Sequence, residues 1–391
     1  MKLFVLTKGF FWFLLYYYIC YSFRSMKDLY LGYIVVIFSL FFLLSNTNKE
    51  YSVSKLRDLY GSGNPQIWPK PFLFDEAKEG FQDIGILPKM EFPAENPYSE
   101  AKVQLGKELF FDPQLSESGK ISCATCHLPE KAFSDGKMVA LGHKDQEGIR
   151  NTLSIMNSGY STTLFWDGKV KSLEDQVKHP IENPIEMNLH MDLAINRIVS
   201  NKNYRKLFRK AFGNKRVTEE RLVKAIATYE RTLVSGKSRF DVFIEGKKDE
   251  FSDAEIRGLH LFRTKANCIN CHNSGTFSDN KFHNIGLDFF SEDDNDLGRY
   301  EITKNPEDKR KFRTPSLREV ALTKPYMHNG QFPELRNVMM MYNVGFGKQN
   351  LTPEQLKDPH FPKKSGMIKS LNLEDEEISD IISFLRTLKS Y

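Results

Sequence analysis

Residues 106–137 read GKELFFDPQLSESGKISCATCHLPEKAFSDGK, and residues 258–281 read GLHLFRTKANCINCHNSGTFSDNK. Each stretch opens on an apolar run that begins with glycine, enters a Cys-x-x-Cys-His segment and leaves it through Phe-Ser-Asp. The same features in the same order make the chain a duplicated unit. A cysteine pair with histidine in the fifth position, met twice, also decides what the unit is built around. Cys123, Cys126 and His127, and again Cys268, Cys271 and His272, have the spacing of a c-type haem attachment site. There two thiols form thioethers to the porphyrin and the adjacent imidazole reaches the iron. A structural zinc site needs four ligands, and a thioredoxin-like dithiol needs a βαβ setting. Neither is offered, so two covalently bound c-type haems are expected, with His127 and His272 on the two irons.

Working outward, the helix signals are plentiful. Ser99 can cap a helix carrying Val103, Leu105, Leu109 and Phe110. Thr218 starts one carrying Leu222, Val223, Ile226, Tyr229 and Leu233, closed by Gly236. Ser252 and Glu255 form a capping box ahead of Ile256, Leu259 and Phe262, and Ile378, Ile381, Ile382, Leu385 and Leu388 give a last apolar stripe. Strand-like alternation is scarce, so the expected class is mainly α, with two cytochrome c domains related by duplication. The seam is placed in the 236–250 region, which gives domains at 98–240 and 241–391. Residues 49–97, rich in Pro, Gly and aromatics without periodicity, read as an extended arm laid over a domain.

The first 48 residues differ from the rest. Two apolar runs, 9–23 and 29–45, are slightly short of the roughly 20 residues of a spanning helix, and the second follows Met26 and Lys27 in the manner of a signal peptide. They read as a signal peptide or membrane anchor, with Met26 as an alternative start, and they place the remainder in the periplasm or cell envelope. No cysteine follows the second run, which argues against a lipid-anchored start; Cys20 lies within the first. With 391 residues and a formal net charge of +5, basic and acidic residues are interleaved, which excludes the long basic runs of a nucleic-acid binder.

Between the motifs, residues 149–189 read IRNTLSIMNSGYSTTLFWDGKVKSLEDQVKHPIENPIEMNL. With the later strings TKPYMHNG and MYNVG, this stretch resembles the bacterial di-haem cytochrome c peroxidase family, which includes the MauG-like enzymes that oxidise a protein substrate. The likeness runs from Ser99 to the C-terminus. It implies that the haem on His127 is the peroxidatic one and that the haem on His272 receives and stores electrons. It further implies that Glu186 is the distal acid–base carboxylate, Gln176 a distal amide orienting peroxide or water, Pro180 part of the same pocket, and Trp166 the aromatic between the haems. Asn151, Thr323 and Pro325 match positions whose oxygens hold a calcium ion, a donor set suited to a hard cation. His143, in a glycine-flanked loop, matches a histidine that caps the peroxidatic iron at rest and leaves on activation. At the second haem Tyr342 aligns with the sixth ligand, the choice of the MauG-like branch, and a one-residue slip would put Met341 there instead.

The resemblance implies an oxidoreductase that reduces hydrogen peroxide to water with electrons from a small cytochrome c or blue copper protein; a homodimer is a candidate assembly. Two rivals are a MauG-like oxidase of a protein partner and a non-enzymatic di-haem carrier. Tyr342 favours the former, while His143 opposes it, as does Ala266 at a place where the maturase of methylamine dehydrogenase has tryptophan. Gln176 and Glu186 speak against the carrier, which needs no acid–base pair.

Overall fold

A computed structural model describes residues 51–287, 296–347, 352–358 and 361–391, and residues 53–391 form one compact unit. The leader or anchor expected at 1–48, with Cys20 and the alternative start, lies outside the described residues. Among the described residues, no helix is long and apolar enough to cross a membrane.

The fold is helical, as expected. Its main elements are α1 (Val53–Tyr60), α2 (Glu100–Phe110), α3 (Leu173–Glu182), α4 (Met191–Ser200), α5 (Lys202–Phe212), α6 (Glu219–Thr232), α7 (Arg239–Ile244), α8 (Asp253–Arg263), α9 (Leu335–Asn343) and α10 (Asp375–Arg386). Two short antiparallel strands, β1 (Phe282–His283) and β2 (Phe312–Arg313), pair with each other.

The duplication is visible as a repeated helix crossing. α2, which leads to the first cysteine motif, lies against α6, and α8, which leads to the second, lies against α10. Both crossings depend on the glycine that opens the repeat. A Cβ on Gly106 would stand 2.0 Å from the Ala225 carbonyl oxygen, and one on Gly258 would stand 2.0 Å from the Asp380 carbonyl oxygen. Without side chains at these points, the two backbones approach more closely than any other residue would allow. Around the first crossing, Leu105, Leu109, Phe110, Ile181, Phe208 and Ile226 are fully buried. Around the second, Phe262 meets Phe384 edge-on with ring centroids 5.2 Å apart, and Phe240 meets Phe277 in the same way at 5.2 Å.

The capping signals were realised in part. Ser252 and Glu255 form their box, and the Thr218 side chain accepts from Arg221 N. Ser99 occupies the N-cap of α2, but only its carbonyl bonds the helix, to the amides of Lys102 and Val103. α6 stops at Thr232, well before Gly236, because Asn157 from a distant loop takes over the end. Its amide donates to Leu233 O at 2.8 Å, and its side chain accepts from Ser235 N at 2.9 Å.

The arm contains a helix that its composition did not suggest, α1, and it touches both halves of the duplication. Early in the arm, Arg57 pairs with Asp253 at 2.6 Å. The buried Arg263 guanidinium stacks over Tyr60 and Trp68, donates to Pro69 O at 2.6 Å and pairs with Asp83. Further on, Pro88 O accepts from Tyr160 at 2.7 Å, and Asn96 donates to Glu174 and to Lys224 O.

Candidate functional site

A continuous cavity of about 740 Å³ is lined by both cysteine motifs and by the loops between them. Cys123 and Cys126 are the ends of a single helical turn whose start is closed by a Ser122–Thr125 capping box, and Cys268 opens a 3-10 turn. The four thiols are free of disulfides, and burial pushes Cys126 up to about 11 and Cys268 up to about 12.

The Phe-Ser-Asp that follows each motif has a specific task. Phe133 and Phe277 both adopt a left-handed backbone, each with φ of 57°. This turns their carbonyls back onto the motif histidines: His127 Nδ1 lies 2.9 Å from Phe133 O, and His272 Nδ1 lies 3.0 Å from Phe277 O. A carbonyl can only accept, so Nδ1 carries the proton in both rings and Nε2 keeps its lone pair. Burial holds both imidazoles below their ordinary range, in the neutral form a metal ligand needs. Two oriented neutral imidazoles, each beside two thiols in one apolar cavity, fit a pair of haems.

On the first side of the cavity, α3 presents Gln176 and, one turn later, Pro180. Proline offers no amide to Gln176 O, and the helix ends two residues beyond it. The chain then reverses through Asn183, whose carbonyl takes the amides of Glu186 and Asn188, and Glu186 is carried to the cavity wall. Its Oε1 accepts from Asn183 Nδ2 at 2.7 Å. Burial outweighs that bond and the charge of Lys169, and holds the Glu186 carboxyl above the usual carboxylate range.

Trp166 also lines the cavity and is nearly buried. Its indole N–H donates to Asn151 O at 2.9 Å, and its carbonyl accepts from Arg313 N at 2.8 Å, so the ring is tied to segments from both halves. Asn151, Thr323 and Pro325 line the cavity as well. The Asn151 amide group donates to Lys137 O at 2.8 Å and Met138 O at 3.2 Å, and the Thr323 hydroxyl donates to Val320 O at 3.4 Å.

The His143 side chain is absent from the cavity wall: its Nε2 lies 3.0 Å from Glu117 Oε2, out of line for a hydrogen bond. What holds His143 there is its backbone, whose amide donates to the carbonyls of Ile185 and Glu186 at 2.8 Å each. Neighbouring Gly142 allows this, since a Cβ on it would stand 2.1 Å from Ile185 O. In this conformation the His143 backbone supports the Glu186 turn. At the second motif the two candidates differ in position. Leu335, Val338, Met339 and Tyr342 of α9 line the cavity, whereas Met341 does not. Burial and the neighbouring Cys271 and Cys268 hold the Tyr342 phenol above its ordinary range.

Three further groups on the wall were not anticipated. Glu230 of α6 is buried with its Oε2 lacking any hydrogen-bond partner, and burial pushes its carboxyl up to about 8. Arg313 is a buried cation at the end of β2. His283 Nε2 lies 2.8 Å from Asp279 Oδ2, and with Cys271 these form a group whose ligand atoms all lie within 4.8 Å of one another. Asp279 had a signal, being the Asp of the second Phe-Ser-Asp; Glu230 and Arg313 lie in no motif.

Residues 100–249 match the family model described as di-haem cytochrome c peroxidase, and residues 256–389 match that of cytochrome c. The chain is 36% identical over 334 residues to the cytochrome-c peroxidase IdrP1 of Pseudomonas sp. (strain SCT), covering 78% of this chain and 85% of that one. It is 39% identical over 301 residues to the methylamine utilization protein MauG of Methylorubrum extorquens, covering 76% and 81%. Among solved structures, a MauG-like protein associated with microbial copper homeostasis superposes with a TM-score of 0.70 at 34% identity, over 78% of this chain and 93% of that one. The di-haem peroxidase BthA of Burkholderia thailandensis shares the fold, with a TM-score of 0.63 at 24% identity over 82% and 94%.

Proposed function

Since the chain belongs to the di-haem cytochrome c peroxidase family, and is therefore a haem-dependent oxidoreductase acting on peroxide, we propose that it reduces hydrogen peroxide to water with electrons from a small cytochrome c or blue copper protein. When bound, the haems supply a redox-active iron for peroxide and a second one that accepts donor electrons. We assign Cys123 and Cys126, and Cys268 and Cys271, to thioether attachment, with His127 and His272 as iron ligands through Nε2.

The observation that carries the reading is Glu186, a half-buried carboxyl on the wall shared with His127. Heterolysis of peroxide moves a proton from one oxygen to the other. Asn183 occupies Glu186 Oε1, so Oε2 is the atom that takes the proton and returns it. Gln176, with its amide on the same wall, orients the peroxide, and Pro180 shapes the pocket around it. Trp166, tied to both halves, relays electrons toward the first site. Tyr342 would serve as a ligand of the second iron, and the oxygens of Asn151, Thr323 and Pro325 would hold a calcium ion. The protein works in the periplasm or cell envelope, reached by its N-terminal segment. A MauG-like oxidation of a protein partner is the second reading, favoured by the presence of Tyr342 and not Met341 on the cavity wall.

Glu186→Gln keeps size and hydrogen bonding but cannot accept a proton. Stopped-flow mixing with peroxide should show the reaction slowed by roughly 10² to 10⁴-fold with both haem spectra intact. Unchanged kinetics would assign proton transfer to another group.

A further inference from the structure

Arg313 is a buried cation for which the described residues offer no anion. Its side chain is nine-tenths buried on the cavity wall, and none of the described carboxylates pairs with it. Among the described residues the guanidinium is held by carbonyls: Nε donates to Phe165 O at 3.2 Å, and Nη1 points to Thr314 O at 3.5 Å. Two other arginines on the same wall differ. Arg150 pairs with Asp167 at 2.6 Å and Asp296 at 2.7 Å, and Arg318 pairs with Asp241 at 2.8 Å. Burial alone drags the Arg313 guanidinium down to about 10. A guanidinium has five N–H donors in a planar fork suited to a carboxylate. A charge buried without a partner is destabilising unless something arrives to neutralise it.

The group that the cavity receives brings such anions, since each haem carries two propionate carboxylates. We infer that Arg313 is the counter-ion of a haem propionate, and that it fixes this propionate beside Trp166. The inference rests on the reading of the cavity as the haem site. The placement follows from the backbone: Arg313 N donates to Trp166 O, and the side chain of the same residue donates to the carbonyl of the preceding Phe165. Arg313 is thus a positioning residue, through which a propionate, β2 and the Trp166 loop are held together. It also places a fixed positive charge near that haem, which favours the reduced iron and raises its reduction potential.

The test uses the holoprotein and the variants Arg313→Gln and Arg313→Lys. Spectroelectrochemistry from pH 5 to 9 should show, for Arg313→Gln, one haem shifted to lower potential, with a new pH dependence as its propionate begins to titrate within the range. Arg313→Lys, which keeps the charge, should stay near the parent. Resonance Raman spectra of the parent should show one propionate band unchanged across that range, and this band should move in Arg313→Gln. Unchanged potentials and bands in Arg313→Gln, with two haems per chain by mass, overturn the inference and leave the haem site standing. Absence of haem from the parent removes both. If Arg313→Gln does not fold, a parent propionate band that titrates freely, or an Arg313→Lys potential far from the parent, overturns it equally.

Discussion

Replacing Gly258 with alanine tests the helix crossing that frames the second haem site. The added methyl would lie 2.0 Å from Asp380 O and 2.9 Å from Phe384 Cβ. A carbon and a carbonyl oxygen rest at about 3.3 Å, so α8 and α10 must part by roughly 1.3 Å at the point of contact. Overpacking of this kind costs about 3 kcal/mol, and more where backbone must yield. Alanine returns about 1 kcal/mol in helix propensity, leaving a net loss of about 2 kcal/mol. For a protein of this size that is a fall in melting temperature of roughly 5 °C. The strain falls beside Phe262 and Leu385, which line the cavity, so the spectrum of the second haem should change while that of the first stays as it was. Gly106→Ala, with its methyl 2.0 Å from Ala225 O, should do the reverse. Calorimetry combined with low-temperature haem spectra separates the two. If both variants melt with the parent, or if each perturbs both haems alike, the repeated crossing is not what shapes the individual sites.

Other outcomes follow from single side chains. Tyr342→Met should raise the reduction potential of the second haem, as a thioether favours the reduced iron; an unchanged potential in a spectroelectrochemical titration means the phenol does not reach that iron. Glu230, protonated up to about pH 8 in the folded protein by burial and ionised above about 4.3 when unfolded, makes the folded state the better proton binder between those limits. Its contribution to stability is complete below the unfolded value and is lost as pH rises through the folded one. Glu230→Gln should therefore flatten the fall in melting temperature between pH 5 and 9, and parallel curves for variant and parent would refute this. With the His143 imidazole beside Glu117, the fully oxidised parent should have a high-spin first haem in electron paramagnetic resonance, and His143→Gly should match it. A low-spin parent that turns high-spin in the variant would show that the imidazole reaches the iron.

The parts of this protein that were legible in its sequence are those where chemistry dictates spacing. Cys-x-x-Cys-His must keep its register to meet a porphyrin, and the glycine that opens each repeat must recur wherever the same crossing recurs. Which of Tyr342 and Met341 faces the cavity was also answerable. Leu335, Val338, Met339 and Tyr342 are spaced i, i+3, i+4, i+7, one face of a helix, and Met341 falls off that face. Glu186 was visible only through its family likeness, since an acid after Asn-Pro is otherwise an ordinary turn residue. The contact that places His143 in this structure is made by its amide, which a sequence does not distinguish from any other. Arg313 and Glu230 left no trace, because a lone charged residue announces its burial only once the surrounding chain has folded over it.

The paired bonds from His143 N to Ile185 O and Glu186 O make one small piece of backbone answer for two side chains. If the loop were to swing so that the imidazole reached the first iron, the amide would have to leave both carbonyls, and the turn that presents Glu186 would lose its brace. A histidine-capped iron and a correctly aimed carboxylate would then be alternative positions of a single latch, and the site would be either closed and disarmed or open and armed.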